Sequence, residues 1–186
     1  VGAKPVFCDI RLDSYNLDET KVEELITKKT KAIVTVDFAG QPCEYDAISR
    51  IANKHQLIHI ADAAHALGAA YRGRKVGSFA DLTTFSFHPV KSITTGEGGA
   101  ILTNEKNYYE KMKLLRSHGI YKDKSGKNVM VDLGLNYRLT DIQAALGTAQ
   151  LKKLDKFIAR RRQVAGWYQE ELADLDQVIL PPSLNP

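Results

Sequence analysis

Thr83 to Ala100 read TTFSFHPVKSITTGEGGA. The stretch opens inside a β-rich run, Leu82 to Phe87, passes through Lys91 and turns on Gly96-Glu97-Gly98-Gly99. A second run follows, Ala100 to Thr103. Each run reads as a strand, because β-branched and aromatic residues bounded by glycine suit a pleated, buried surface. The same pattern repeats upstream. Ala32 to Phe38 (AIVTVDF) is a continuous apolar strand, and Leu57 to Ile60 is another that ends at Asp62. Between them, Tyr45 to His55 has helical spacing, with Ile48, Ile51 and Ala52 on one side. Continuous apolar strands separated by helices predict an α/β fold whose largely parallel sheet is covered on both faces.

Further out, Val6 to Ile10 reads as a short strand. Asp18 is placed to cap a helix over ETKVEELITK, since its carboxylate can accept a free N–H of the first turn. Asn107 to Ser117 is helical, with Gly119 as its stop. Tyr121 to Asp132 is polar, carries several lysines and Gly126, and reads as a mobile loop. Thr140 with Gln143 fits a capping box that opens one long helix from Asp141 to about Leu172. Both ends look cut. Val1 leads straight into strand-like VFCDI, and Val178 to Pro186 (VILPPSLNP) reads as the opening of new structure.

The chain has 186 residues, 26 Lys plus Arg and 22 Asp plus Glu, hence a net charge of +4. That excess is too small to imply nucleic acid. The densest basic cluster, Lys152 to Arg162, lies in a helical pattern and reads as a solvated face. No apolar run approaches the roughly 18 to 20 residues of a membrane span. Two cysteines, Cys8 and Cys43, have no disulfide or metal spacing, and a reducing cytoplasm suits them.

Open α/β sheets take ligands beyond the carboxyl ends of their strands. Two such ends carry chemistry. At the end of the strand that finishes near Phe87 are Ser86, His88 and Lys91; a lysine there can attack a carbonyl and form a Schiff base. At the neighbouring end, Asp62 in LIHIADAAHALG supplies a carboxylate. Set against the pyridine nitrogen of pyridoxal 5'-phosphate (PLP), a carboxylate keeps that ring an electron sink. Alone, each residue has a plainer reading: Lys91 as a surface lysine, Asp62 as a cap for AAHAL, Ser86 as a turn residue. Rival chemistries fit less well. TGEGG has no Gly-Lys-Ser/Thr behind it, which argues against a nucleotide P-loop. His59, His65 and His88 match no zinc spacing. Ser86 lacks the Gly-x-Ser-x-Gly elbow of a hydrolase.

Taken together, ADAAHALGA (residues 61–69), SFHPVKSITTGEGGAILTN (86–104), LRSHGI (115–120) and LGLNYRLTDIQAALGTAQLKKLD (133–155) resemble the DegT/DnrJ-type nucleotide-sugar aminotransferases. VDFAGQPCEYDAI (36–48) and SFHPVK look closest to members acting on UDP-linked 4-keto-6-deoxy-N-acetylhexosamines, as in pseudaminic acid synthesis. The resemblance implies PLP-dependent transferase fold type I, the aspartate-aminotransferase type. Residues 1–172 would form the PLP-binding large domain without its N-terminal part, and 173–186 the start of a C-terminal small domain. A further phosphate-binding loop would precede residue 1.

The resemblance also implies roles. Lys91 matches the Schiff-base lysine, Asp62 the pyridinium partner, and His65 a residue beside the ring oxygen. Ser86 matches a phosphate-binding serine. Asn136 matches an asparagine that reaches the phosphate held by a second subunit, which makes a homodimer the expected assembly. The implied reaction moves an amino group from L-glutamate to a nucleotide-linked keto sugar, for surface-glycan synthesis. A sugar dehydratase of the same fold would carry histidine in place of Lys91. A non-catalytic relative is the other alternative.

Overall fold

A computed structural model describes residues 1–181. Its centre is a four-stranded sheet of β1 (Ala32–Val36), β2 (Ile58–Asp62), β5 (Leu82–Ser86) and β6 (Gly99–Leu102), in the order β1-β2-β5-β6. The first three strands run parallel, with Val36, Asp62 and Thr84 in register across them. β6 returns antiparallel to β5 and pairs Ser86 with Gly99. Between β2 and β5 lies a small hairpin of β3 (Ala70–Tyr71) and β4 (Arg74–Lys75). Its two turn residues, Arg72 and Gly73, both have positive φ (48° and 76°). That is the turn whose twist matches paired strands.

The strands alternate. Ile33, Thr35, His59, Ala61, Thr83 and Phe85 are buried on one face. Helix α1 (Tyr45–His55) packs there through Tyr45, Ile48 and Ala52, and ends on Gln56 in a left-handed conformation. Ile48 and Ala52 join Val22 and Ile33 in one cluster. Tyr45 joins Ala61, Ala66, Tyr71 and Phe85 in the other. On the opposite face some apolar side chains stay exposed in this chain. Among the described residues Val34 stays 56 % exposed and Ile101 54 %. Apolar composition on both sides of a strand marks what it suits, not which element reaches it.

Other expectations need correction. Val6 to Ile10 is not a strand; only Ile10 pairs, in a single bridge to Leu17. The helix expected after Asp18 shrinks to a 3-10 turn, Glu23–Leu25. Asp18 instead accepts from Thr20 N and Oγ1 at 3.0 and 2.6 Å and closes a local turn. Such side-chain bonds compete with helix formation. Tyr121 to Asp132 is not a loop throughout. β7 (Ile120–Lys122) pairs with β8 (Asn128–Met130) around a turn in which Asp123 Oδ1 accepts from Ser125 N, Ser125 Oγ and Lys127 N.

Helix α2 (Lys106–Leu115) forms as expected, and Gly119 N donates to Leu114 O just beyond it. The Thr140–Gln143 capping box is present. The helix it opens is two helices, α3 (Asp141–Leu151) and α4 (Leu154–Glu171), broken at Lys152–Lys153. Gly147 of α3 sits on Thr95, whereas Leu154 and Ile158 of α4 reach Gly68, so the two segments follow different parts of the surface. The expected opening of a small domain at 173–186 falls partly on residues 182–186, which lie outside the described residues.

Candidate active site

The carboxyl ends of β2 and β5 lie side by side, and the sheet's alternation decides what they present. Asp62 and Thr84 are register partners, and Ser86 lies two residues beyond Thr84 on the same face, which is the open one. Asp62 is half-buried, and its Oδ1 accepts from Ala64 N at 3.1 Å. The cap reading of Asp62 therefore holds as well, leaving its second oxygen free of hydrogen bonds among the described residues. His65, at the end of the same turn, is exposed. Ser86 Oγ accepts from His88 N at 3.3 Å.

Lys91 closes the turn after β5, where its N–H donates to His88 O at 3.0 Å. The Arg161 guanidinium of α4 donates to the carbonyls of Lys91 and Ser92 at 3.3 and 3.2 Å, which ties the lysine's main chain to a helix. A cavity of about 180 Å³ adjoins it, lined by Lys91, Ser92, Thr94, Gln150, Phe157 and Arg161. The glycine-rich turn is fixed by Glu97 O, which accepts from Thr95 Oγ1 at 2.7 Å and from the Gln143 side chain at 2.9 Å. A larger cavity, about 200 Å³, lies around His59 and Asp81 at the other end of the strands and contains none of these residues.

Asp62 and Ser86 thus end neighbouring strands, and His65 and Lys91 lie on the segments that follow them. Asn136 does not join them. It is exposed, on an extended segment bridged to Ser117, and its side chain makes no hydrogen bond among the described residues.

The sequence reading missed Asp37. It is 1 % exposed at the end of β1, next to the Asp62 turn. Its Oδ1 accepts from Cys43 N at 2.9 Å and its Oδ2 from the Tyr45 hydroxyl at 2.6 Å. Burial pushes its carboxyl up, those two bonds pull it down, and the charge of Asp62 adds to the rise. Tyr45 is pushed up by burial and then by Asp37. The available signal was a carboxylate directly after AIVTV, at the strand end beside that of Asp62.

An amine, a carboxylate at the adjoining strand end and a hydroxyl on the same face as that carboxylate are residue types suited to PLP. These residue types and the sheet order agree with a PLP-dependent transferase of fold type I. The model of the DegT/DnrJ/EryC1/StrS aminotransferase family matches residues 1–185, and the chain belongs to that family. It is 50 % identical over 173 residues to the UDP-4-amino-4,6-dideoxy-N-acetyl-beta-L-altrosamine transaminase of Campylobacter jejuni, covering 91 % of this chain and 46 % of that protein. To the GDP-perosamine synthase of Caulobacter vibrioides it is 48 % identical over 181 residues, covering 97 % and 48 %. Among solved structures it resembles Helicobacter pylori PseC, an aminotransferase involved in the biosynthesis of pseudoaminic acid. The TM-score is 0.91 at 43 % identity, over 94 % of this chain and 47 % of that one. The chain spans about half the length of the relatives it matches.

Proposed function

We propose that the protein containing this chain transfers an amino group from L-glutamate to a nucleotide-linked 4-keto-6-deoxy sugar. The observation that carries the reading is the placing of Lys91, Asp62 and Ser86 at adjoining strand ends. The names of the similar proteins support the sugar class. When bound, PLP supplies a carbonyl that takes up amines and a ring that accepts electrons. Lys91 Nζ would hold the cofactor and, when free, would serve as the base for the donor's Cα proton. Arg161 keeps the Lys91 main chain in place for that transfer. Asp62 would hold the ring nitrogen's proton, and only one of its oxygens is engaged, by Ala64 N–H, among the described residues. Ser86 would donate to the phosphate, and His65 would stand beside the ring oxygen. The same residues would serve the keto sugar's half of the exchange.

The working unit in this reading is a homodimer. Met130, Val131, Leu133, Leu135, Tyr137 and Ile142 form a run of exposed apolar side chains around Asn136, with Leu133 81 % exposed. Contiguous apolar surface of this kind marks a contact, and a two-fold dimer is the commonest symmetric solution. A cytoplasmic setting goes with the free thiols Cys8 and Cys43. No helix among the described residues is long and apolar enough to cross a membrane.

The test uses the whole protein and a panel of nucleotide-linked keto sugars. Lys91→Ala should abolish glutamate-dependent amination, and activity within about tenfold of the parent would sink the assignment. Mixing Lys91→Ala with inactive Asn136→Asp, after mild dissociation, should then restore roughly a quarter of the parent activity. That recovery requires sites shared between subunits. No recovery despite verified exchange would sink the shared site.

A further inference from the structure

The strand ends next to Asp62 are braced from one side by a loop that the reaction does not use. Asp37 N–H donates to the Asp62 carbonyl at 3.0 Å, one residue beyond the last register pair, Val36 with Asp62. The loop this bond begins, residues 37–43, is fastened at several points. Asp37 takes the Cys43 N–H and the Tyr45 hydroxyl on separate carboxylate oxygens. Asn16, only 3 % exposed, accepts from Phe38 N and donates to Gln41 O, both at 2.9 Å. Gly40 has φ +90°, and a side chain there would stand 3.0 Å from the carbonyl of His65. The loop therefore meets the segment that carries Asp62 and His65 at two points, Asp37 and Gly40.

Both oxygens of Asp37 are acceptors, and the bond from Tyr45 at 2.6 Å has the length of a charge-assisted O–H···O⁻ bond. A buried carboxylate with two donors aimed at it is a rigid joint, since losing either donor leaves charge without a partner. The joint also aligns the main chain of Asp62, whose side chain is fixed in turn by Ala64 N–H.

We propose that Asp37 is a positioning residue: through Cys43 and Tyr45 it locks the 37–43 loop, and the loop holds Asp62 at the angle from which its carboxylate meets the cofactor's ring nitrogen. The last clause rests on the role given to Asp62 above. The first part concerns this chain's own residues and does not need the cofactor.

The experiment therefore has two arms, both on the whole protein. In the cofactor-free protein, amide hydrogen exchange is followed at Ala64, the group bonded to the Asp62 carboxylate. Asp37→Asn and Tyr45→Phe should each speed exchange at Ala64 by about tenfold, the size of one lost charge-assisted bond. A core variant that lowers the melting temperature equally, Ile48→Val, should change it by less than about threefold. In the PLP-loaded protein, the ring nitrogen's ¹⁵N resonance should move toward the neutral position in Asp37→Asn and further in Asp62→Asn. Ala64 exchange unchanged in both variants, or moved equally by Ile48→Val, overturns the proposal. So does a ring nitrogen that responds to Asp62→Asn but not to Asp37→Asn. If Asp62→Asn itself leaves the nitrogen unmoved, the role of Asp62 falls, while the brace remains decided by Ala64.

Discussion

Ile33 and Val34 are neighbours in one strand, both β-branched and both apolar, yet Ile33 is 6 % exposed and Val34 56 %. The contrast runs across the whole sheet. One face packs Ile33, Ala61 and Phe85 against α1 and the aromatic cluster of Tyr45, Tyr71 and Phe79. The other carries Val34, Val36 and Ile101 with much of their surface bare, and it is the face on which Asp62 and Ser86 lie. Packing and chemistry are thus divided by the two-residue period of a strand. A core can tolerate few polar groups, so the residues that must bind and move protons are placed where alternation turns them away from it.

The largest expected effect tests the chemical side of this division. Asp62→Asn keeps the size of the side chain and an oxygen for Ala64 N–H. The stability of the whole protein should change by no more than about 0.5 kcal/mol, as for substitutions outside a core. An amide cannot hold the ring nitrogen as a cation, so single-turnover reaction with glutamate should slow by about 100-fold or more, the usual cost of removing one electrostatic stabiliser. The rate is followed by the loss of the cofactor's visible band. A normal rate would make Asp62 only the cap of its turn.

The covered face has a polar pair of its own, and its response to acid is the next largest effect. His59 is 2 % exposed, and its Nε2 lies 3.0 Å from Thr35 Oγ1. Burial lowers its pKa from 6.5 to about 4, against a smaller upward pull from Asp81. As pH falls, the unfolded chain takes up the proton first, near 6.5, and the folded chain only near 4. Stability is therefore fully present above pH 6.5 and lost between about 6.5 and 4, by about 3 kcal/mol in all. His59→Gln should flatten that part of the curve, measured by urea unfolding at a series of pH values. Parallel curves for parent and variant would show that burial of His59 has no such cost.

What the sequence could reveal follows the same division. β1, β2 and β5 were legible because their β-branched runs are local signals, and α1 because Ile48, Ile51 and Ala52 recur at helical spacing. The capping box was legible because two residue types three apart define it. The direction of β6 is not local. It follows from a turn, Phe87 to Gly98, with no helical crossover to carry the chain back for a parallel pairing. The β3–β4 hairpin escaped because Arg72-Gly73 lacks the Asn-Gly or Asp-Gly signature. Asp62, Ser86 and Lys91 were legible as positions, since strand ends are where such sheets take ligands. Asp37 was not, because its burial depends on Tyr45 and Cys43 folding back over it. Nothing in one chain could place Asn136, whose proposed role needs a second copy.

The smallest expected effect is the most direct test of the two faces, because it uses the neighbours that define them. Ile33→Thr and Val34→Thr each replace a β-branched residue by another, so strand propensity stays nearly constant and only the surroundings differ. At position 33 the new hydroxyl enters the cluster of Val22, Ile48 and Ala52, where none of these apolar side chains can pair with it. Lost apolar contact and an unpaired polar group together should cost about 2 to 3 kcal/mol. At position 34 water already reaches more than half of the side chain, and the hydroxyl keeps its solvent partners. The change there should stay within about 0.5 kcal/mol. Urea unfolding of the two variants of this chain gives the difference directly, with Ile33→Thr shifting the midpoint and Val34→Thr leaving it in place. Equal losses at both positions would mean that the two faces are equally covered, and the division between packing and chemistry drawn from them would fail.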